Sequence, residues 1–397
     1  MSHGDTTPQD HPTDRDSMLV FGVPAVGEEE IAEVTATLRS GWLGTGPRVH
    51  RFETAFREYK GWGHAVGCNS CTAAMHMSLL VAGLQPGDEV ITTPMTFCAT
   101  VNAIIHTGAT PVLADIDPVT LNIDPEHIQA HITPRTRAIL PVHFAGHPCR
   151  MDAITAIARQ HGLKIIEDCA HAIETEFRGQ KAGTFGDFGC FSFYVNKNVT
   201  TGEGGMMLAR DAEDAKRLRC LSLHGLSHDA WNRFGTSGYR HYQVVEAGFK
   251  YNMMDIQAAI GIHQLARVEK NWLRRKEIWH RYQEAFADLP VLTPADAPPE
   301  CRHAYHLFPV RIDPARTDTP RDEILGQLTR HKIGTGVHYL SIPDHPFYQR
   351  HFGWSPDAWP VARDVGRHTI SLPLYPAMRD EDVTDVIRAF RAIMTTR

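Results

Sequence analysis

The sequence predicts an α/β protein, with a mostly parallel seven-stranded sheet covered by helices on both faces and a smaller α+β part after it. Three observations carry this. Short apolar runs recur at 64–68, 89–93, 111–115, 138–144, 163–167, 189–194 and 206–209, each the length of a buried strand. Helical patterns at 72–82, 97–106, 125–131 and 151–161 fill the early gaps, and such alternation gives a parallel sheet buried on both sides. Beyond the Pro-rich LTPADAPPE the pattern changes to a few strands and helices in another order.

Composition narrows the function classes. A chain of 397 residues can bury a large core and is expected to hold two domains. Its 40 basic and 46 acidic residues give a net charge of −6, with no basic run that would suit nucleic acid. No apolar stretch reaches the roughly 18 residues of a membrane span. The polar start, MSHGDTTPQDHPTDRDSM, lacks an apolar core, so residues 1–17 read as a disordered tail and not a signal peptide. Eight cysteines scattered through core-like segments suit reduced thiols and a cytoplasmic location. Cys68 and Cys71 form a CxxC, yet no second pair or redox context accompanies it.

Taken in order, the chain runs through an amphipathic helix over 28–40 into GWLGTGPRV. Three glycines and Pro47 there predict irregular backbone next to something bound. The strands that follow have their carboxyl ends where ligands sit in such sheets. After 64–68 comes NSCTAAMH, whose free N–H groups and helix dipole suit a phosphate, though Ser and Thr are also ordinary caps. After 89–93, PMTFCAT sets Phe97 at the mouth of the sheet, as a stacking ring or a core residue. In IIEDCAHA, Asp168 ends a buried strand, where a carboxylate needs a partner. A pyridinium N–H is a suitable partner, and His171 can reach the ring's other substituents; a capping Asp with a satisfied His is the plainer reading.

The stretch GCFSFYVNKNVTTGEGG is the most telling. Lys197 stands between an aromatic buried strand and a glycine turn. Burial lowers an amine's pKa from roughly 10.4 and frees a nucleophile for a carbonyl. Alone it would pass for a strand-end lysine in solvent; with Asp168 before it, and Ser192 in the strand, the pattern is far more specific. Further on, 213–223 is helical, an aromatic loop follows, and GFKYNMMDIQAAIG enters a helix. A long basic helix over 268–286 connects to the last part, where Thr319 caps a helix begun by Pro320. The expected division is a tail (1–17), a large cofactor-binding domain (18–265), and a connector helix with a small C-terminal domain (266–397).

With these motifs in view, the sequence resembles the DegT/DnrJ/StrS-type sugar aminotransferases, pyridoxal-phosphate enzymes of fold type I. SGWLGTGP, NSCTAAMH, PGDEVITTPMTF, PVHFAGHPCRMDAI, IIEDCAHA, FSFYVNKNVTTGEGG, KYNMMDIQAAIG and SLPLYP carry the resemblance, from about residue 19 to the end. It implies Lys197 as the aldimine-forming lysine, Asp168 on the pyridine nitrogen and His171 beside the phenolic oxygen. It implies Phe97 stacked on the ring, Ser192 with Cys71 and Thr72 around the phosphate, and Asn252 reaching that phosphate from a partner subunit. Pyridoxamine phosphate would be the intermediate form and L-glutamate the donor, in a homodimer with shared sites. The acceptor it implies is a nucleotide-linked 4-keto sugar, as in enzymes making UDP-4-amino-4-deoxy-L-arabinose; a 3-keto sugar, a cyclitol ketone or a non-catalytic regulator are the alternatives. Retained Lys197 favours transamination over the dehydration of relatives with histidine there. Trp42, Thr45, Arg233 and His338 are expected in the substrate walls.

Overall fold

The computed structural model describes residues 15–226 and 242–395. Its strands are β1 (His64–Cys68), β2 (Glu89–Thr92), β3 (Thr110–Leu113), β4 (Thr136–Leu140), β5 (Lys164–Asp168), β6 (Glu176–Phe177), β7 (Gln180–Lys181), β8 (Phe188–Ser192), β9 (Gly205–Ala209), β10 (Val291–Leu292), β11 (Cys301–Arg302), β12 (Phe308–Ile312) and β13 (Thr369–Leu372). Seven of them form one sheet in the order β1-β9-β8-β5-β4-β2-β3. Only β9 runs against its neighbours, pairing antiparallel with β1 and β8, while β2, β3, β4, β5 and β8 pair parallel.

Alternate strand residues go to opposite faces, as the pleat requires. Val66, Val90, Leu140, Ile166, Cys190 and Met207 pack with helices Cys71–Val81, Cys98–His106 and Ala212–Ser222. Phe191, Met206 and Leu208 pack on the other side with helices Pro47–Lys60 and Asp255–Ala266. Ile91, Ile139 and Ile165 continue that side against Pro125–Ala130 and Met151–His161. Both faces are therefore dry, which is why these strands read as unbroken apolar runs. A second core lies along the connector helix Val268–Phe286, where Trp279, Tyr282 and Phe286 meet the β10-β12-β13 sheet and helices Arg321–Arg330 and Asp380–Thr395.

Several local readings change. GWLGTGPRV is not loop throughout: Pro47 opens the helix Pro47–Lys60, because its fixed φ and missing N–H suit a first turn. Buried Val49, Phe52 and Phe56 supply that helix's inner stripe. The cap of helix Arg321–Arg330 is Pro320, one residue later than expected, and Thr319 stays outside. The strand Phe308–Ile312 starts no earlier because Ala304 and His306 spend their N–H groups on the carbonyls of Gly146 and Ala145. At the start, Arg15 donates to Asp382 and Asp385, both at 2.8 Å, so the segment read as tail is already held at residue 15. Residues 1–14 lie outside the described residues.

Candidate active site

The carboxyl ends of β1, β2, β5 and β8 open on one cavity of about 460 Å³. Cys71, Thr72, Phe97, Asp168, His171, Ser192, Lys197 and His338 all line it, with Thr100 and Tyr339. The backbone N–H of Lys197 closes a turn onto the Tyr194 carbonyl at 2.9 Å, and Gly202 (φ 80°) reverses the chain so that β9 can return beside β8.

Burial brings the Lys197 amine down to about 8, with Asp168 and Cys71 pulling the other way, so a free amine is available near neutrality. Asp168 accepts from the Ala170 N–H (3.0 Å) and the Thr100 hydroxyl (2.8 Å), and Thr100 is itself 2.7 Å from the Thr96 hydroxyl. Burial raises its carboxyl above the ordinary range; these two donors and Lys197 limit the rise. One face of the carboxylate is thus fixed for a cationic N–H.

His171 Nδ1 accepts from the Ala145 N–H at 3.2 Å, which leaves the hydrogen on Nε2, 3.1 Å from the Tyr339 oxygen. Burial first, then Lys197 and His338, push this imidazole well below its usual value, so it is neutral. Helix Cys71–Val81 is capped by Ser70, whose hydroxyl accepts from Ala73 at 3.1 Å. Cys71 and Thr72 precede the helix's own ladder, so their N–H groups are free to bind an anion where the dipole favours one. Phe97 stands 58% exposed, its ring 5.9 Å from that of Tyr339. An amine, a buried carboxylate, an open aromatic face and an anion-binding helix start fit pyridoxal phosphate group by group.

The profile of the DegT/DnrJ/EryC1/StrS aminotransferase family matches residues 24–391. The chain belongs to that family. It is a pyridoxal-phosphate-dependent sugar aminotransferase, and the solved relatives of this fold include both cofactor forms. The spore coat polysaccharide biosynthesis protein SpsC of Bacillus subtilis (strain 168) is 49% identical over 381 residues, covering 96% of this chain and 98% of its own. Spr1654 of Streptococcus pneumoniae, in its PMP form, superposes with a TM-score of 0.89 at 33% identity over 95% of this chain and 99% of its own. PseC of Helicobacter pylori, an aminotransferase involved in pseudoaminic acid biosynthesis, gives 0.87 at 28% over 95% and 99%.

In this family member Trp42, Thr45 and Asn252 lie outside that lining. Asn252 bridges to Cys68 and donates to the Thr45 hydroxyl at 2.7 Å, while Trp42 Nε1 donates to the Thr45 carbonyl at 3.0 Å. The described residues lining the cavity do not include these three. Trp42 is half exposed beside Leu43. Arg233 lies outside the described residues. His338 lines the cavity and bonds the Ser371 hydroxyl at 2.9 Å. Cys68 and Cys71 are free thiols, the former donating to the Ser70 carbonyl. Sequence reasoning missed Thr100, and next to Tyr339 it singled out only His338. Both are revealed by partners far along the chain. Another acidic centre, Glu167 with His143 and Cys169, has ligand atoms within 4.8 Å of one another. Glu167 there already accepts from Gly183, Phe185, Gly186 and His143, which makes it a satisfied anchor for the loop before β8.

Proposed function

We propose that this enzyme moves an amino group from L-glutamate to the keto group, at C4, of a nucleotide-linked keto-deoxy sugar, for amino-sugar biosynthesis. The observation that carries the reading is that Lys197 and Asp168 face one cavity bounded by Phe97 and the start of helix Cys71–Val81. Bound there, pyridoxal phosphate supplies an electron sink and a carbonyl that accepts and returns the amino group. Lys197 is the amine that holds the cofactor and then carries the proton at its Nζ. Asp168, with Thr100 and Ala170 donating to its oxygens, would hold the ring nitrogen protonated. Neutral His171, with its hydrogen on Nε2, would stand beside the phenolic oxygen. Phe97 would cover one ring face and exclude water, and Ser192 with the N–H groups of Cys71 and Thr72 would bind the phosphate.

A sugar acceptor is supported by the similarity to SpsC, a spore coat polysaccharide biosynthesis protein, and to PseC, involved in the biosynthesis of pseudoaminic acid. A non-catalytic regulator would need neither a desolvated lysine nor a buried aspartate. We assign cofactor binding to residues 18–265, and the connector with a small domain to 266–397, in a cytoplasmic homodimer. Trp42, Thr45, Arg233 and His338 would contact substrate, and Asn252 the neighbouring subunit's phosphate. The test is a half-reaction: the pyridoxamine form is offered a panel of nucleotide-linked keto sugars while its absorbance is followed. Conversion by a 4-keto sugar, with glutamate regenerating the pyridoxamine form, is expected; conversion by none of the panel would overturn the acceptor class.

A further inference from the structure

Beyond the cavity, a chain of buried polar side chains runs from His171 into the C-terminal part. The His306 ring lies 4.4 Å from that of His171, tilted by 33°. Its Nδ1 is 2.9 Å from Asn198 Oδ1. Asn198 Nδ2 donates to both oxygens of Glu174, at 3.0 and 2.9 Å, and to the Ala304 carbonyl at 3.0 Å. Those acceptors fix which end of the amide faces which way. The oxygen must face His306, and because an amide oxygen only accepts, His306 Nδ1 carries the hydrogen. Its Nε2 is left as a bare acceptor. Glu174, Asn198 and His306 are all buried, so water does not compete for these bonds. Arg275, anchored on the Leu374 carbonyl at 2.9 Å, supplies opposite charge near Glu174.

We propose that Glu174 and Asn198 fix His306 as its neutral Nδ1–H tautomer, and that His306 so fixed is a positioning residue for the His171 ring and the Lys197 turn. Asn198 follows Lys197 directly in the chain, so anchoring its amide also anchors the backbone that carries the amine. His306 and Lys197 border the same small cavity, where a charged or reoriented imidazole would put a cation beside that amine. Burial works in the same direction, pushing His306 well below its ordinary value.

The role in turnover rests on the function proposed above; the tautomer does not, and it can be read without any reaction. In protein labelled with nitrogen-15 at histidine, assigned with His306→Gln, His306 should show a protonated Nδ1 and bare Nε2 from about pH 6 to 8. Asn198→Leu should let both tautomers appear, with a rate loss of about tenfold to hundredfold, as when an outer partner that orients an active group is removed. His306→Phe, which keeps a ring against His171, should be slowed by a similar factor while still binding pyridoxal phosphate. An Nε2–H tautomer in the parent protein, an unchanged tautomer in Asn198→Leu, or wild-type rates in His306→Phe would each overturn the proposal. Absent cofactor binding at Lys197 would instead sink the proposed function and leave the tautomer standing.

Discussion

Asp168 owes its state to two donors rather than to solvent. It is buried at the end of β5, and the Thr100 hydroxyl meets one oxygen while the Ala170 N–H meets the other. Thr100→Val removes a donor without changing shape, leaving a buried carboxylate short of one bond at a cost of about 1–3 kcal/mol. Turnover should fall about tenfold to hundredfold with the fold intact, as measured by steady-state rates beside circular dichroism; an unchanged rate would show that Thr100 does not tune Asp168. Asp168→Asn should fall by several orders of magnitude with cofactor still bound, since an amide does not hold a ring nitrogen protonated. The sequence makes Asp168 legible, because a carboxylate closing an apolar strand asks for a partner. Thr100 was not legible, since it stands 68 residues from Asp168 and looks like any threonine in a helix.

At the scale of elements, β9 and helix Cys71–Val81 are built together. A Cβ on Gly205 would come within 2.5 Å of the Ser70 carbonyl carbon and 2.8 Å of the Cys71 nitrogen, both backbone. Gly205→Ala must therefore push the helix start away from the sheet. We expect markedly weaker pyridoxal phosphate binding with β-sheet content preserved, as titration of the cofactor-free protein would measure. Unaltered affinity would mean that this helix start does not hold the phosphate. The large-sheet strands were readable because all but the edge strand β3 are buried on both faces and so run apolar. Helix Pro47–Lys60 was not, because the glycines and Pro47 that start it are the residues that also break structure.

For the whole molecule, the buried histidines set how stability depends on acid. Burial holds His171, His303 and His306 well below their ordinary value near 6.5. The unfolded chain takes up protons there that the native protein refuses, so stability drops as pH falls below that point, by about 1.4 kcal/mol per pH unit for each histidine. Glu174, raised to about 7 by burial, acts in the opposite sense between about 4.5 and 7 and offsets one of them. Denaturant midpoints should thus be lower near pH 5.5 than near 7.5; equal midpoints would show that these rings charge in place. The proposed sharing of the site between subunits makes a second prediction at this scale. Lys197→Ala and a disabled Asn252 variant, each poorly active alone at limiting cofactor, should recover about a quarter of wild-type activity when their subunits are mixed. No recovery after confirmed exchange would put Lys197 and Asn252 in the same chain's site.

The proposed chemistry turns on Lys197 as the amine that meets the cofactor. Borohydride reduction of the pyridoxal-phosphate-loaded protein, followed by peptide mass mapping, tests this most directly. The account predicts a single phosphopyridoxyl adduct, on Lys197, absent from Lys197→Ala, which should also lose transamination. An adduct on another lysine, or a Lys197→Ala enzyme turning over at the wild-type rate, would contradict it.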